Sequence, residues 1–446
     1  MIEVFEKPTL SPSEPYEVRF KTFLQTVASK NPPWIKQIRK SAFARFAEVG
    51  FPTARNEDWK FTNIAPLLKL PFHPLEAPSR TLACEEVEPF RFGAREGRLL
   101  VFVDGHFAPK LSSLPDDEDG LQLGSLRAML ENNSREIEKH LAHYASDANA
   151  FTALNTAFFQ DGAFVSVPAG RVVEDPVHLL FIAATNEPGA ALHPRNLILA
   201  QKRSAVKILE TYVSLTDAPY FTNAVTEIVV EPDAQIEHCK IQRESENAFH
   251  LATIKTNQNK NSRWTSHSIS SGARLARNDI QSVLNAEGAE CILNGLYLGR
   301  GEQLVDHHTV VEHAKPNCES HEFYHGILDG KSRGVFNGKI FVQQDAQKTN
   351  AKQTNRNLLL SDDAIVNTKP QLEIFADDVK CTHGATVGQL DEDAIFYLRS
   401  RGIGLENARR MLIHAFAHDV VERINLEAVR AELDKFLMER FEGATK

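Results

Sequence analysis

Cys381 and His383 stand two residues apart in the run Asp377-Asp378-Val379-Lys380-Cys381-Thr382-His383-Gly384. On a β-strand alternate side chains leave the same face, so this thiol and this imidazole can address one metal ion or one sulfur species. Thiolate and imidazole are ligand types of iron-sulfur centres, where histidine occasionally replaces cysteine. Two ligands cannot close a site, so a second chain or distant residues must supply the others. From spacing alone a plainer reading is favoured, a buried cysteine behaving as a small hydrophobe beside an ordinary histidine.

A denser group, His307, His308, His313, Cys318, His321 and His325, places six donors within 19 residues. Strand alternation turns His307 and His308 to opposite faces, and His321 and His325 stand at helical spacing in a segment with no other helix signal, whereas a tetrahedral zinc site needs three or four convergent ligands. Surface or hydrogen-bonded histidines are therefore expected. Gly326-Ile327-Leu328-Asp329-Gly330-Lys331-Ser332 is one residue short of a phosphate loop and sits among strands, so it reads as a hairpin or coil corner. The acidic pairs Asp116-Asp117 and Asp362-Asp363 fall in polar turns, where solvated residues are the expectation. Cys84, Cys239, Cys291 and Cys318 read as packing or surface residues.

The elements that must hold these residues change character along the chain. Phe20, Phe23, Leu24 and Val27 recur at helical spacing, as do Ile35, Ile38, Ala42, Phe46 and Val49, with Pro32 and Pro33 between the two runs. Residues 1–150 are expected to form a helical and mixed N-terminal domain, including a strand at Leu99 to Val103 and a polar helix through Leu126 to His140. From 151 to 390, short β-rich runs separated by turn residues predict well over ten strands, more than a two-sheet sandwich needs. A solenoid, in which each coil buries its inward side chains on its neighbours, is the favoured architecture, although the repeats give no clear period and a double jelly roll stays open. Residues 391–446 return to helix: Leu405, Ala408, Leu412, Phe416, Val420 and Ile424 form one stripe, and a second helix follows with Asn425 as its N-cap. Met411, Ile413, Ala415, Ala417 and Val421 add apolar surface beyond that stripe, so the helix packs on two sides or a partner covers the excess.

Composition narrows the function. The 446 residues are 42% apolar and 24% charged, an ordinary globular balance of about three folding units. The net charge of −9 removes the non-specific phosphate attraction used by most nucleic-acid binders. Five scattered cysteines make no disulfide framework, so a reducing compartment is expected. The N-terminal stretch carries no signal-like segment, and the longest apolar run, around Leu179 to Ala184, is far short of a membrane span. The expected location is the cytoplasm, with neither nucleic acid nor membrane as partner.

From Ala346-Gln347-Lys348-Thr349 through Gln353-Thr354-Asn355-Arg356-Asn357-Leu358-Leu359-Leu360, the sequence resembles the SufD family, subunits of the SUF machinery for iron-sulfur cluster assembly. Lys369-Pro370-Gln371-Leu372-Glu373-Ile374, the run from Asp377 to Gly388, and Phe396-Tyr397-Leu398-Arg399-Ser400-Arg401-Gly402-Ile403 continue the likeness, with weaker echoes at Glu57-Asp58-Trp59-Lys60-Phe61-Thr62 and Val103-Asp104-Gly105. The resemblance implies a mainly β protein, a right-handed parallel β-helix flanked by helical domains. It implies a non-enzymatic scaffold that pairs with the paralogous β-helix subunit SufB and docks the ABC-type ATPase SufC, which hydrolyses the ATP. It also implies a cluster held transiently in the complex, with no cofactor held stably by the isolated chain. Cys381 and His383 then take a ligand or supporting role at the SufB boundary, with His383 the better candidate. The same resemblance assigns the C-terminal helices to SufC docking, through Asp393, Phe396, Arg399, Arg401, Leu412 and Phe416.

Two other functions compete. A polysaccharide-active β-helix enzyme is disfavoured because the acidic pairs sit in turns and no export signal is seen. The SufB-type paralogue itself, or a homodimeric scaffold, is a third reading.

Overall fold

A computed structural model describes residues 14–29, 31–92, 97–114, 120–132, 134–145 and 149–441; the pair Asp116-Asp117 lies outside them. The β-rich middle is a parallel β-helix of two facing sheets, with the chain alternating between them strand by strand. In one sheet the strands Phe221–Val230, Phe249–Gln258, Leu275–Leu284, Leu304–His313, Arg333–Val342 and Ile365–Ile374 lie side by side; in the other lie Gln235–Glu244, Arg263–Gly272, Glu290–Gly299, Glu319–Leu328, Asn350–Leu359 and Lys380–Gly388. All pair in parallel without a register slip. Parallel in-register pairing stacks each inward side chain on its counterpart one coil away. The rings of Phe102, Phe181 and Tyr212 show this, with centroids 4.8 Å apart at each step, the normal spacing of neighbouring strands.

A repeat of about 30 residues is present in the backbone. Gly170, Arg203, Asp233, Asn261, Gly288, Asn317 and Lys348 occupy one corner of successive coils, all with φ between 54° and 76°. Each turns its N–H onto a carbonyl of the following coil, at Lys202, Pro232, Lys260, Glu287, Pro316, Gln347 and Asp378 in that order. A left-handed residue at that point redirects the strand and satisfies an otherwise orphaned donor. The segment from Asp329 to Ser332 is the turn at another corner, after the strand Glu319–Leu328, as the sequence suggested.

Helices close the flanks. Glu14–Gln25 and Pro33–Val49 pack with Ala150–Phe158 through Phe20, Phe43, Phe46 and Phe158. The polar stretch after Ser125 forms two helices, Leu126–Asn132 and Ser134–His140. The strand Arg98–Val103 joins the helical N-terminal part to the solenoid by pairing with Val177–Ala183. At the other end, helix Leu405–Val421 buries Ile413, Ala417, Val420 and Val421 in a cluster with Ile269, Leu296, Leu298 and Ile327 of the solenoid. Helix Glu427–Arg440 adds Val429, Leu433 and Leu437 to the same cluster. Two-sided packing thus covers much of the apolar surplus; Met411 stays exposed. The N-cap of the last helix is Leu426, not Asn425, whose own backbone N–H donates to Glu237 Oε1 at 2.8 Å. Among the described residues no helix is long and apolar enough to cross a membrane.

Candidate functional site

Cys381 and His383 lie on the last strand of the solenoid, Lys380–Gly388, which pairs with Asn350–Leu359 on one side only. Register settles which way they face. Cys381 lies beside Ala351 and His383 beside Gln353, and both neighbours are 1% exposed, so the thiol and the imidazole belong to the inward row. Ala385 and Val387 continue that row. The opposite wall of the final coil is Ile365–Ile374, where Val366, Thr368, Pro370 and Leu372 align with the inward residues Gly334, Phe336, Gly338 and Ile340. Pro370 lacks an N–H and is tolerated on an edge strand.

Among the described residues no further coil covers these two strands, and their burial differs sharply from that of the strands beneath. Lys380–Gly388 is exposed at every position except Cys381, which is half-buried, whereas Glu290–Gly299 is mostly buried. Leu372, Val379 and Cys381 pack against Ile340, Val342 and Ala351, and this partial burial raises the Cys381 thiol pKa, offset in part by a backbone hydrogen bond at Ala351. His383 stays exposed. The site therefore offers one sulfur and one nitrogen donor at an open lumen, framed by two unpaired strand edges.

Below the opening, the lumen is lined by buried polar groups that sequence reasoning missed. Glu322 lies under Gln353 and His383 in one ladder of the sheet. Its Oε2 accepts from Thr309 Oγ1 at 2.7 Å and Gln353 Nε2 at 3.1 Å, while its Oε1 is buried without a partner. Burial pushes this carboxyl up to about 7 against the pull of those two hydrogen bonds. His307 stacks on Tyr297 at 5.4 Å, and burial drives it down to about 3, so it is neutral at pH 7. Deeper, the Lys240 ammonium contacts Asn278 Oδ1 at 2.7 Å and His250 Nε2 at 2.8 Å, and burial brings it down to about 8. The missed signal was the parity of polar residues along strands such as Arg263–Gly272, where Ser266, Ser268 and Ser270 alternate.

The six donors between His307 and His325 do not converge. His307 faces the lumen, His308 sits 3.1 Å from Asp306 on the other face, and His313 meets Ser320 Oγ at 2.8 Å. Cys318 bonds backbone carbonyls at a corner, His321 is half-buried beside Glu319, and His325 stacks on Phe416 at 4.3 Å.

The segment Glu57-Asp58-Trp59-Lys60-Phe61-Thr62 is a clasp on the solenoid's outer face. Arg277 lies 3.9 Å over the Trp59 ring and pairs with Asp306 and Asp279 at 2.8 Å each. Thr62 Oγ1 donates to the same Asp306 at 2.5 Å, and Lys369 pairs with Glu57 at 2.6 Å. Burial opposes ionisation of Asp306, but His308, Arg277 and Thr62 together hold its carboxyl well below the usual range. A cavity of about 450 Å³ lies beneath the clasp, bordered by Lys60, Thr62, His308 and Asn337.

The C-terminal residues expected to meet a partner are divided. Asp393 lies in the first turn of helix Glu392–Ser400, capped by Asp391. Phe396 is 75% exposed, Arg399 is exposed, and Arg401 leans over the Tyr397 ring at 5.1 Å. Leu412 is half-buried, and Phe416 is turned to the solenoid, where its carbonyl accepts from His325 Nδ1 at 2.8 Å.

Residues 181–416 match the family described as the SufBD core domain of the SUF system for FeS cluster assembly, and residues 11–179 match the SufBD N-terminal region. The chain is 33% identical over 408 residues to the iron-sulfur cluster assembly protein SufD of Escherichia coli, covering 89% of this chain and 91% of that one. It is 34% identical over 403 residues to a SufBD family protein of Synechocystis, covering 89% and 88% of the two chains. SufD of Bacillus subtilis is 27% identical over 428 residues, covering 92% and 95%. With both halves of the sequence matched and the solenoid ending in an open coil that carries Cys381 and His383, the chain belongs to the SufBD family of the iron-sulfur cluster assembly system.

Proposed function

We propose that this chain is a cytoplasmic scaffold subunit that holds half of a nascent-cluster site and closes it by pairing its last coil with a SufB-type paralogue. The observation that carries the reading is the open coil itself. Two parallel strand edges present unpaired backbone groups in the same plane, and a second β-helix can extend both sheets across them. Cys381 and His383 would then be enclosed with donors from the partner, giving iron the three or four ligands that two residues cannot supply. His383 is the better ligand of the pair because it is exposed and unencumbered, whereas Cys381 is half-buried with its thiol pKa raised. The cluster is cargo, built in the complex and passed on, and no cofactor stays with the isolated chain.

A SufC-type ATPase would dock on the C-terminal helices. Phe396, Tyr397, Leu405 and Met411 are exposed there, an apolar set flanked by Arg399 and Arg401. ATP hydrolysis belongs to that partner, which makes this chain an assembly subunit rather than an enzyme.

The test is reconstitution with SufB and SufC partners, comparing wild type with His383→Ala and Cys381→Ala and reading iron and sulfide content. His383→Ala should lower cluster yield while the complex still assembles, because the side chain is exposed and holds no part of the core. Normal cluster content in an intact His383→Ala complex would remove the ligand role.

A further inference from the structure

Three donor groups on the last two helices have no part in the function just proposed. His414 and His418 stand one turn apart on helix Leu405–Val421, their rings stacked with centroids 5.6 Å apart and planes 18° from parallel. Asp434 reaches them from helix Glu427–Arg440. Its Oδ1 accepts from His418 Nδ1 at 2.9 Å and lies 3.4 Å from His414 Nε2. One ligand atom from each of the three residues falls within 4.8 Å of the other two.

Two features separate this cluster from an ordinary surface ion pair. First, His414 Nε2 is cut off from water and still makes no hydrogen bond, although a carboxylate oxygen lies beside it. A buried polar atom in that condition calls for an unseen partner. Second, the spacing suits a metal. Bonds of about 2.0–2.1 Å in a tetrahedron set neighbouring ligand atoms about 3.3 Å apart. The two nitrogen to oxygen separations, 2.9 Å and 3.4 Å, straddle that value. The side chains of His414, His418 and Asp434 are 25%, 41% and 33% exposed, enough for an ion to enter and for water to fill a remaining position.

We propose that His414, His418 and Asp434 form a binding site for a divalent transition metal ion of the zinc class, with two imidazoles and one carboxylate as protein ligands and a fourth position open. Borderline nitrogen donors with one carboxylate select zinc-class ions over calcium or magnesium, which favour all-oxygen sets. Where a single hydrogen bond from His418 to Asp434 now links the helices, the ion would be held by two ligands from the helix seated on the solenoid and one from the terminal helix. The site is independent of Cys381 and His383, which lie on the last strand of the solenoid.

The experiment uses the full chain without a histidine tag, with Co²⁺ as spectroscopic probe and Zn²⁺ as competitor. One equivalent of Co²⁺ should give the strong visible bands of a low-coordinate site, and Zn²⁺ should abolish them. His414→Ala and His418→Gln should each weaken binding on the order of 100-fold, since each removes one of three ligands. His418→Gln keeps a donor toward Asp434, so a folded, non-binding variant is available if alanine disturbs the helix. His383→Ala should bind Co²⁺ as wild type does. Absence of stoichiometric Co²⁺ binding would overturn the proposal. So would bands that persist in both His414→Ala and His418→Gln, or that vanish in His383→Ala.

Discussion

Replacing Glu322 by Gln should stabilise the protein at and above pH 7 and leave it unchanged below about pH 4.5. The folded carboxyl is raised from 4.5 to about 7 by burial. Below 4.5 the side chain carries its proton in both folded and unfolded chains, and pH has no leverage. Between 4.5 and about 7 the unfolded chain ionises while the folded one keeps its proton, so the folded state loses about 1.4 kcal/mol for each pH unit. Above 7 both are ionised and the deficit is constant at about 3 kcal/mol. Gln removes that deficit and still offers an oxygen to Thr309 Oγ1 and Gln353 Nε2, which both donate to Oε2. Its amide nitrogen falls where Oε1 already lacks a partner, so that defect is common to both side chains and largely cancels. At about 2.1 cal/mol/K per residue, a chain of 446 residues unfolds with about 0.9 kcal/mol/K of entropy, and 3 kcal/mol becomes a melting shift of about 3 °C. Melting curves of both proteins across pH 4.5 to 8.5 measure it: the difference should open with rising pH and level off near 7. A difference that is flat with pH, or that shrinks as pH rises, would refute the claim that burial governs this carboxyl.

Two further perturbations address the clasp and the open edge. Arg277→Leu leaves Asp306 buried with only His308 and Thr62, and breaking a buried pair of this kind costs about 3–5 kcal/mol. Hydrogen exchange should quicken over residues 57–62 in that variant, and unchanged protection there would show that the clasp does not depend on Arg277. Val387→Lys places a charge on the inward row of the edge strand, where Val387 is 50% exposed. The isolated chain should melt as wild type while capture of a SufB-type partner falls by an order of magnitude or more, and undiminished capture would place the pairing surface elsewhere.

The limits of sequence reading can be traced to individual residues. Helices announced themselves because one face packs: Phe20, Phe23 and Phe46 recur at helical spacing and all enter one cluster. Strands such as Val177–Ala183 were legible because every residue but His178 is apolar. Gln235–Glu244, Phe249–Gln258, Arg263–Gly272 and Leu275–Leu284 were not, because their buried rows carry Lys240, His250, Ser268 and Asn278, residues whose cost of burial is met only by partners one coil away. The repeat escaped notice for a related reason. Its marker is a backbone angle shared by Gly170, Arg203, Asp233, Asn261 and Lys348, residues with no side chain in common.

For the site, two residues of spacing sufficed to place Cys381 and His383 on one face of a strand, because side-chain parity is a local property of extended backbone. Stacking decided everything else: which side of the sheet is the lumen, that no coil covers the last strand, and that Glu322 lies beneath His383 on the same ladder. His414 and Asp434 meet only because two helices fold back on each other. Alternation is written in neighbouring residues, whereas closure and convergence depend on contacts about 20 to 30 residues apart along the chain, which only the folded coils bring together.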